Sequence, residues 1–325
     1  MTQNHLQVSL YGWSAALGSQ PVSIAEVEGQ FSLPKGKLGT GAGIDSVARA
    51  GEDEDEASLA ANACEGALAV SRVEIGDVDC VIATTETATG FPTLAARLYQ
   101  SLHPRKDCMA LDVGGGCMGL LNAFQVGKSL LLTGAAACVL VVSADVHSLV
   151  LTPQRVKGEF GGLFGDGASA FVLRRAEGGA SPHYALGEFL FGCVPAYANA
   201  IQIALEDEHA FHLRFDGEAL ARAAVEQLEQ IIEDLEARSG VTRADVAAFA
   251  THQPNPRLVS LLARRLGVPA GKFPEVARTS GNLGASTCGV ALCRALTQHA
   301  SRPQRAPIFM ASLGPGLLWG GAVLH

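Results

Sequence analysis

Residues 109–134 read MALDVGGGCMGLLNAFQVGKSLLLTG, a strand, a glycine turn and a helix in immediate succession. The apolar run Cys108–Val113 has the length and composition of a strand and ends in three glycines, Gly114-Gly115-Gly116. Cys117 follows, and Met118–Thr133 then has the length and apolar content of a helix. Glycines tolerate the positive φ and close backbone approach that a sharp strand-to-helix turn demands. The turn therefore presents a thiol at a helix start, among free backbone N–H groups and the positive end of the helix dipole. That field is expected to favour thiolate, the nucleophilic form, and the same N–H groups can stabilise an oxyanion.

Outward from this turn, strand-like runs at Val78–Thr84, Ala137–Ser143, Ala168–Arg174, Ala185–Phe191, Val246–Thr251 and Pro307–Leu313 alternate with helical segments. The helices are predicted at Glu56–Arg72, Thr93–Leu102, Gly217–Arg238, Pro256–Leu266 and Leu283–His299. Strand–helix alternation predicts an α/β fold with mainly parallel central strands. A weak internal repeat refines this. A strand ending Thr84-Thr85, a helix, the GGGCMG turn, a long helix, VLVVSAD and GGLFGDGASAFVL make one series. A strand ending Thr251-His252, a helix, the SGNLGAS turn, a long helix, PIFMASLGPG and LLWGGAVL make the second. The chain is thus expected to hold two similar halves, residues 1–178 with the cysteine and residues 179–325 with the histidine and asparagine considered below; Gly178-Gly179 and Pro182 supply the break.

Composition bounds the function. The 325 residues are 48% hydrophobic and 17% charged, enough for a sizeable core. A net charge of −8 gives no reason to expect nucleic acid or an anionic membrane as partner. No apolar stretch reaches membrane-spanning length, and MTQNHLQVSL lacks the pattern of a signal peptide, so a cytoplasmic protein is expected. The acidic run Glu52–Glu56 reads as a solvated helix start. None of the eight cysteines forms a C-x-x-C pair, which argues for a reducing compartment and against zinc. Cys64, Cys80, Cys138, Cys288 and Cys293 lack the setting of Cys117 and read as structural.

A cysteine nucleophile needs a base or second polarising group nearby. His252 ends a predicted strand in AAFATHQPNPRLV, and strand C-termini are where α/β sheets place chemistry. His147, after VLVVSAD, is its one serious rival. Asn282 sits in a glycine turn opening a helix, where asparagine commonly caps; the repeat places it at the same end of the fold as Cys117 and His252.

At these residues the chain resembles β-ketoacyl-acyl-carrier-protein synthase III and its relatives in the thiolase superfamily, over nearly its whole length. DVGGGCMGLLNAF resembles the nucleophile motif at Cys117, THQPNPRL the histidine motif at His252, Asn255 and Arg257, and SGNLGAST the asparagine motif at Asn282. FGDGASAFVL and SLGPGLLWGGAVL resemble the hairpins that close the two halves. The resemblance implies a five-layered α-β-α-β-α fold, usually a homodimer, in which Phe91 would enter the partner's acyl pocket. It implies a Cys117 acyl-enzyme formed from acyl-CoA or an acyl carrier protein, and decarboxylative condensation with a malonyl-type thioester whose enolate His252 and Asn282 stabilise. No metal or organic cofactor is implied. Acyl transfer from the same intermediate to a hydroxyl or amine is the alternative. So is a non-catalytic partner subunit, although such subunits tend to lose the nucleophile. A degradative thiolase is disfavoured, because Leu313–Trp319 lacks the second cysteine those enzymes use.

Three departures stand out. Residues 31–50, FSLPKGKLGTGAGIDSVARA, lack the tryptophan of members that prime with acetyl-CoA, which opens the way to a protein-borne donor; Arg257 remains as a phosphate or carrier contact. The last glycine loop reads Gly314-Pro315-Gly316, with proline, which has no N–H, at the position of an oxyanion donor; either Gly316 substitutes or the hole is weaker. Three glycines replace the family's alanine-rich residues before Cys117. Together they suggest a specialised polyketide or lipid branch.

Overall fold

The computed structural model describes residues 7–88, 90–176, 184–205, 211–215, 217–299 and 305–325. The expected boundary at residues 178/179 lies outside the described residues. Among the described residues nine strands form the main sheet: β1 Val8–Leu17, β2 Cys80–Thr84, β3 Met109–Asp112, β4 Cys138–Val146, β5 Asp166–Arg175, β6 Tyr184–Cys193, β7 Ala248–Thr251, β8 Ile308–Gly314 and β9 Leu318–Leu324. Six long helices accompany them: α1 Glu56–Ser71, α2 Leu94–Leu102, α3 Gly119–Thr133, α4 Gly217–Ser239, α5 Pro256–Leu266 and α6 Ser286–His299. The predicted strands and helices are present, most with ends within two residues of expectation.

The spatial order is β3-β2-β4-β5-β1-β6-β9-β8-β7. The series β2-β4-β5-β1 in one half recurs as β7-β8-β9-β6 in the other, so the repeat read from sequence is a repeat of topology. The halves meet at β1 and β6 through the pairs Ser9↔Ala185 and Leu10↔Tyr184. So short a seam lets the two half-sheets stack rather than extend. One buried cluster collects Ile82, Val141 and Phe171 from the first half-sheet and Ala248, Ile308 and Met310 from the second, with Phe124 of α3 and Leu292 of α6. A second cluster packs α1 and α2 on the outer face of the first half-sheet, and a third packs α4 and α5 on the outer face of the second. These are the five layers, α-β-α-β-α.

The expectation of mainly parallel strands is corrected. β3, β2 and β4 are mutually parallel, as are β7 and β8. The other five pairings are antiparallel, because β5 and β9 return as hairpin partners and β1 and β6 run against them. The parallel strands are still where the sequence is most apolar: CVIAT of β2 and CVLVVSADV of β4 are buried throughout, as strands covered on both faces must be.

Local signals end the helices where the sequence places them. Asp55 caps α1 by accepting from the Ser58 N–H at 2.9 Å, and Ser58 Oγ accepts from the Asp55 N–H in return. The acidic run before α1 is therefore more than a solvated face. Glu54 accepts from the Ser19 and Gly51 N–H groups, and Glu56 is buried, accepting from Thr87 Oγ1 at 2.9 Å. Asn255 caps α5 with Pro256 at its first position, and Gly267 closes it in the left-handed region.

Candidate active site

Parallel strands end on a common edge, and here those ends carry the chemistry. Glu86 lies just past β2, Cys117 past β3, His147 past β4, His252 past β7 and Pro315 past β8, while Asn282 precedes α6. All six line one cavity of about 920 Å³. Beyond them its wall is largely apolar, with Leu151, Phe160, Leu220 and Leu258 among the lining residues.

Cys117 sits in a single tight turn, Gly116–Met118, ahead of α3. Gly115 at φ 136° and Gly116 at φ 55° make the turn, and a Cβ on Gly116 would stand 2.8 Å from Pro315 Cδ. Ser312 Oγ donates to the Cys117 carbonyl at 2.8 Å, which ties the turn to β8 across the two halves. The expected thiolate field is overridden. Burial, Glu86 and Asp145 together hold the thiol well above its ordinary range, so Cys117 rests protonated.

His252 is buried, its backbone N–H donating to the Ala311 carbonyl at 2.8 Å. Its Nδ1 has no hydrogen-bond partner among the described residues, and burial pushes the ring down to about 4. It is therefore neutral at neutral pH. Asn282 Oδ1 accepts from the Gly284 N–H and from Thr287 Oγ1, each at 3.1 Å. With its oxygen so held, the carboxamide offers its NH2 as the remaining donor.

A buried acid–base cluster stands beside the sulfur. Glu86 Oε2 and Oε1 lie 3.7 and 3.8 Å from Cys117 Sγ, and His147 Nε2 lies 3.0 Å from Glu86 Oε1. His147 Nδ1 donates to the Gly165 carbonyl at 2.9 Å. Glu86 and Asp145 raise the ring to about 9 despite its burial, and His147 in turn helps hold Glu86 below the usual carboxylate range against desolvation. Asp145, raised to about 7 by burial and by Glu86, accepts from the N–H groups of Glu86 at 2.7 Å and Ala285 at 3.0 Å.

The thiol, imidazole and carboxamide thus converge on one cavity from three distant segments. A family model described as "3-Oxoacyl-[acyl-carrier-protein (ACP)] synthase III" matches residues 111–188, and its C-terminal companion matches residues 236–325. The chain is 31% identical to a β-ketoacyl-[acyl-carrier-protein] synthase III of Streptomyces coelicolor, covering 97% of this chain and 96% of that one. It is 30% identical to the synthase III of Granulibacter bethesdensis over 97% and 98% of the two chains. The chain belongs to the 3-oxoacyl-[acyl-carrier-protein] synthase III family. Its structure is similar to the synthase III of Pseudomonas aeruginosa, with a TM-score of 0.86, 25% identity and 98% of each chain covered. The fold also matches that of the Aquifex aeolicus enzyme, with a TM-score of 0.87, 24% identity and coverage of 98% and 99%.

Other residues singled out in this synthase III-family chain occupy different settings. Phe91 is 93% exposed and lies outside the cavity wall of its own chain. Arg257 is exposed on α5, its guanidinium 2.5 Å from the Thr40 carbonyl, and lines a smaller surface pocket with Arg264. Gly314 and Pro315 line the main cavity, but Gly316, at φ 82°, is not among its lining residues. The remaining singled-out cysteines are buried, and desolvation pushes Cys80, Cys138 and Cys288 up to about 12. Glu86 escaped the sequence reading altogether. Its signal was an acid at the end of the β2 run, in the position that made His252 a candidate.

Proposed function

We propose that this chain is a condensing transferase in which Cys117 carries the acyl group and His252 and Asn282 serve the carbon–carbon bond-forming step. An acyl thioester of CoA or of an acyl carrier protein enters the cavity, and Cys117 sulfur displaces the carrier thiol. A malonyl-type thioester on acyl carrier protein then binds. Neutral His252 and the Asn282 NH2 donate to its thioester carbonyl as loss of carbon dioxide makes an enolate, and the carbanion attacks the acyl-Cys117 carbonyl. Fatty-acid-related or polyketide synthesis is the setting this chemistry serves. No step in this scheme calls for a metal or organic cofactor.

The observation that carries the reading is the convergence of Cys117, His252 and Asn282 on one cavity. Arg257 and Arg264 on the exposed side of α5 suit an acidic carrier protein. A homodimer gives the exposed Phe91 a place in the partner's pocket. Pro315 at the cavity wall supplies no N–H, which leaves the oxyanion more dependent on the Cys117 turn. The free cysteines suit the cytoplasm, and no helix among the described residues is long and apolar enough to cross a membrane.

The test is an intact-mass survey after incubation with a panel of acyl-CoAs and acyl carriers, followed by malonyl carrier protein. An acyl adduct on Cys117 and Cys117-dependent carbon dioxide release are expected. An adduct that passes to an alcohol or amine with no carbon dioxide released would overturn the condensation.

A further inference from the structure

Glu86 and His147 have no part in the scheme above, yet both line the cavity beside the nucleophile. Both Glu86 oxygens are within hydrogen-bond reach of the sulfur, at 3.7 and 3.8 Å. The thiol has one proton and these oxygens are its acceptors. Glu86 is fixed from behind: its N–H donates to Asp145, and His147 Nε2 holds Oε1 at 3.0 Å.

Hydrogen-bond accounting fixes the protons. The Gly165 carbonyl only accepts, so His147 Nδ1 bears a hydrogen. An ionised Glu86 also only accepts, so Nε2 bears one too, and the ring is an imidazolium paired with a carboxylate. Phe164 packs against that ring, tilted by 33° with centroids 4.4 Å apart, and keeps it in place. The titratable groups facing the pair are Cys117, Asp145, Asp166 and His252. Among the described residues, Glu86 is the titratable group with atoms within hydrogen-bond distance of the sulfur, and a helix start alone has not ionised the thiol.

We propose that Glu86, positioned by His147, is the general base that takes the Cys117 proton as the sulfur attacks the acyl donor. The inference rests on the acyl-enzyme reading and adds the residue that starts it. The Sγ–C bond forms while the Sγ–H proton passes to a Glu86 oxygen. The tetrahedral adduct then breaks its bond to the carrier sulfur, and that thiolate recovers the proton from Glu86. The sum is acyl-SR + Cys-SH → acyl-S-Cys + RSH, with no change of oxidation state and Glu86 restored. His147 keeps its protons throughout and is a positioning residue.

Two rates separate this role from a structural one. Acylation of Cys117 by acetyl-CoA and octanoyl-CoA, followed by rapid-quench mass spectrometry, reads the proposed step. Alkylation of Cys117 by iodoacetamide reads only the ease of forming thiolate. Glu86→Gln should slow acylation by about 100-fold or more, the usual scale for general-base catalysis. The same substitution removes a negative charge beside the sulfur, so alkylation at pH 8 should become faster. Glu86→Asp should recover part of the acylation rate. His147→Leu removes the partner that holds Glu86 down, so the acid limb of the acylation profile should move to higher pH. Acylation by Glu86→Gln within about 3-fold of wild type, or both rates falling together, overturns the proposal; 3-fold is well below the general-base range. If Glu86→Gln does not fold, an unmoved acid limb in His147→Leu overturns it instead. A wild-type protein that takes no adduct from any donor in the acyl-CoA and carrier panel defeats the parent reading and this one with it, an outcome distinct from the others.

Discussion

Gly284→Ala tests whether the acid–base cluster is built to close tolerance. Gly284 has φ 58°, a left-handed conformation that costs an alanine about 1–2 kcal/mol. A Cβ there would stand 2.3 Å from Glu86 Oε1, 2.7 Å from Asp145 Oδ2 and 2.9 Å from His147 Cε1, where ordinary contact begins at 3.4 Å. The Glu86 carboxylate must therefore retreat by about 1 Å, since nothing shorter relieves the contact. That move spoils either its 3.0 Å bond to His147 or its approach to Cys117. Strain and a loosened buried ion pair together should cost about 2–4 kcal/mol, which for a chain of this length lowers the melting temperature by about 3–6 °C. A displacement of that size also slows acylation by about 100-fold. Scanning fluorimetry and rapid-quench mass spectrometry read the two effects. Gly271→Ala is the control: its Cβ meets nothing within 4 Å and both readings should stay at wild type. A Gly284→Ala protein that melts within about 1 °C of wild type and acylates at full rate would show that the cluster tolerates the displacement, since about 1 °C corresponds to only about 0.7 kcal/mol.

Cys117→Ala should accept no acyl adduct while keeping its fold, seen by intact mass and circular dichroism. His252→Ala and Asn282→Ala should still acylate within about 10-fold but lose carbon dioxide release by about 100- to 1000-fold, the usual cost of removing an oxyanion donor. His147 also carries a pH signature in stability. Its ring is raised from 6.5 to about 9 in the fold, so its contribution is full below pH 6.5 and lost as pH rises through about 9. The melting-temperature advantage of wild type over His147→Leu should be largest at pH 6 and shrink by pH 9.5; a constant gap would contradict the buried imidazolium. His252 runs the other way. Depressed from 6.5 to about 4, it contributes above pH 6.5 and loses that contribution as pH falls through about 4, so wild type should lose ground to His252→Leu on acidification.

The α/β alternation, the two-fold repeat and the three turns that carry Cys117, His252 and Asn282 are legible along the chain. These are local matters: apolar runs of strand length, glycine where φ turns positive, and caps such as Asn255 with Pro256 are written within a few residues of one another. Strand direction was not local, and five antiparallel pairings took the place of a mainly parallel reading, because pairing is chosen by partners far along the chain. The state of the nucleophile was likewise decided in three dimensions. Read along the chain, Cys117 sits at a helix start that favours thiolate; in the fold, Glu86 from the end of β2 and Asp145 from β4 surround it in a buried space and keep its proton on. Along the chain His147 reads only as a rival to His252; in the fold His147 is a cation paired with the Glu86 carboxylate, and desolvation leaves His252 neutral. Electrostatics depends on distance and burial through space, which no stretch of sequence contains.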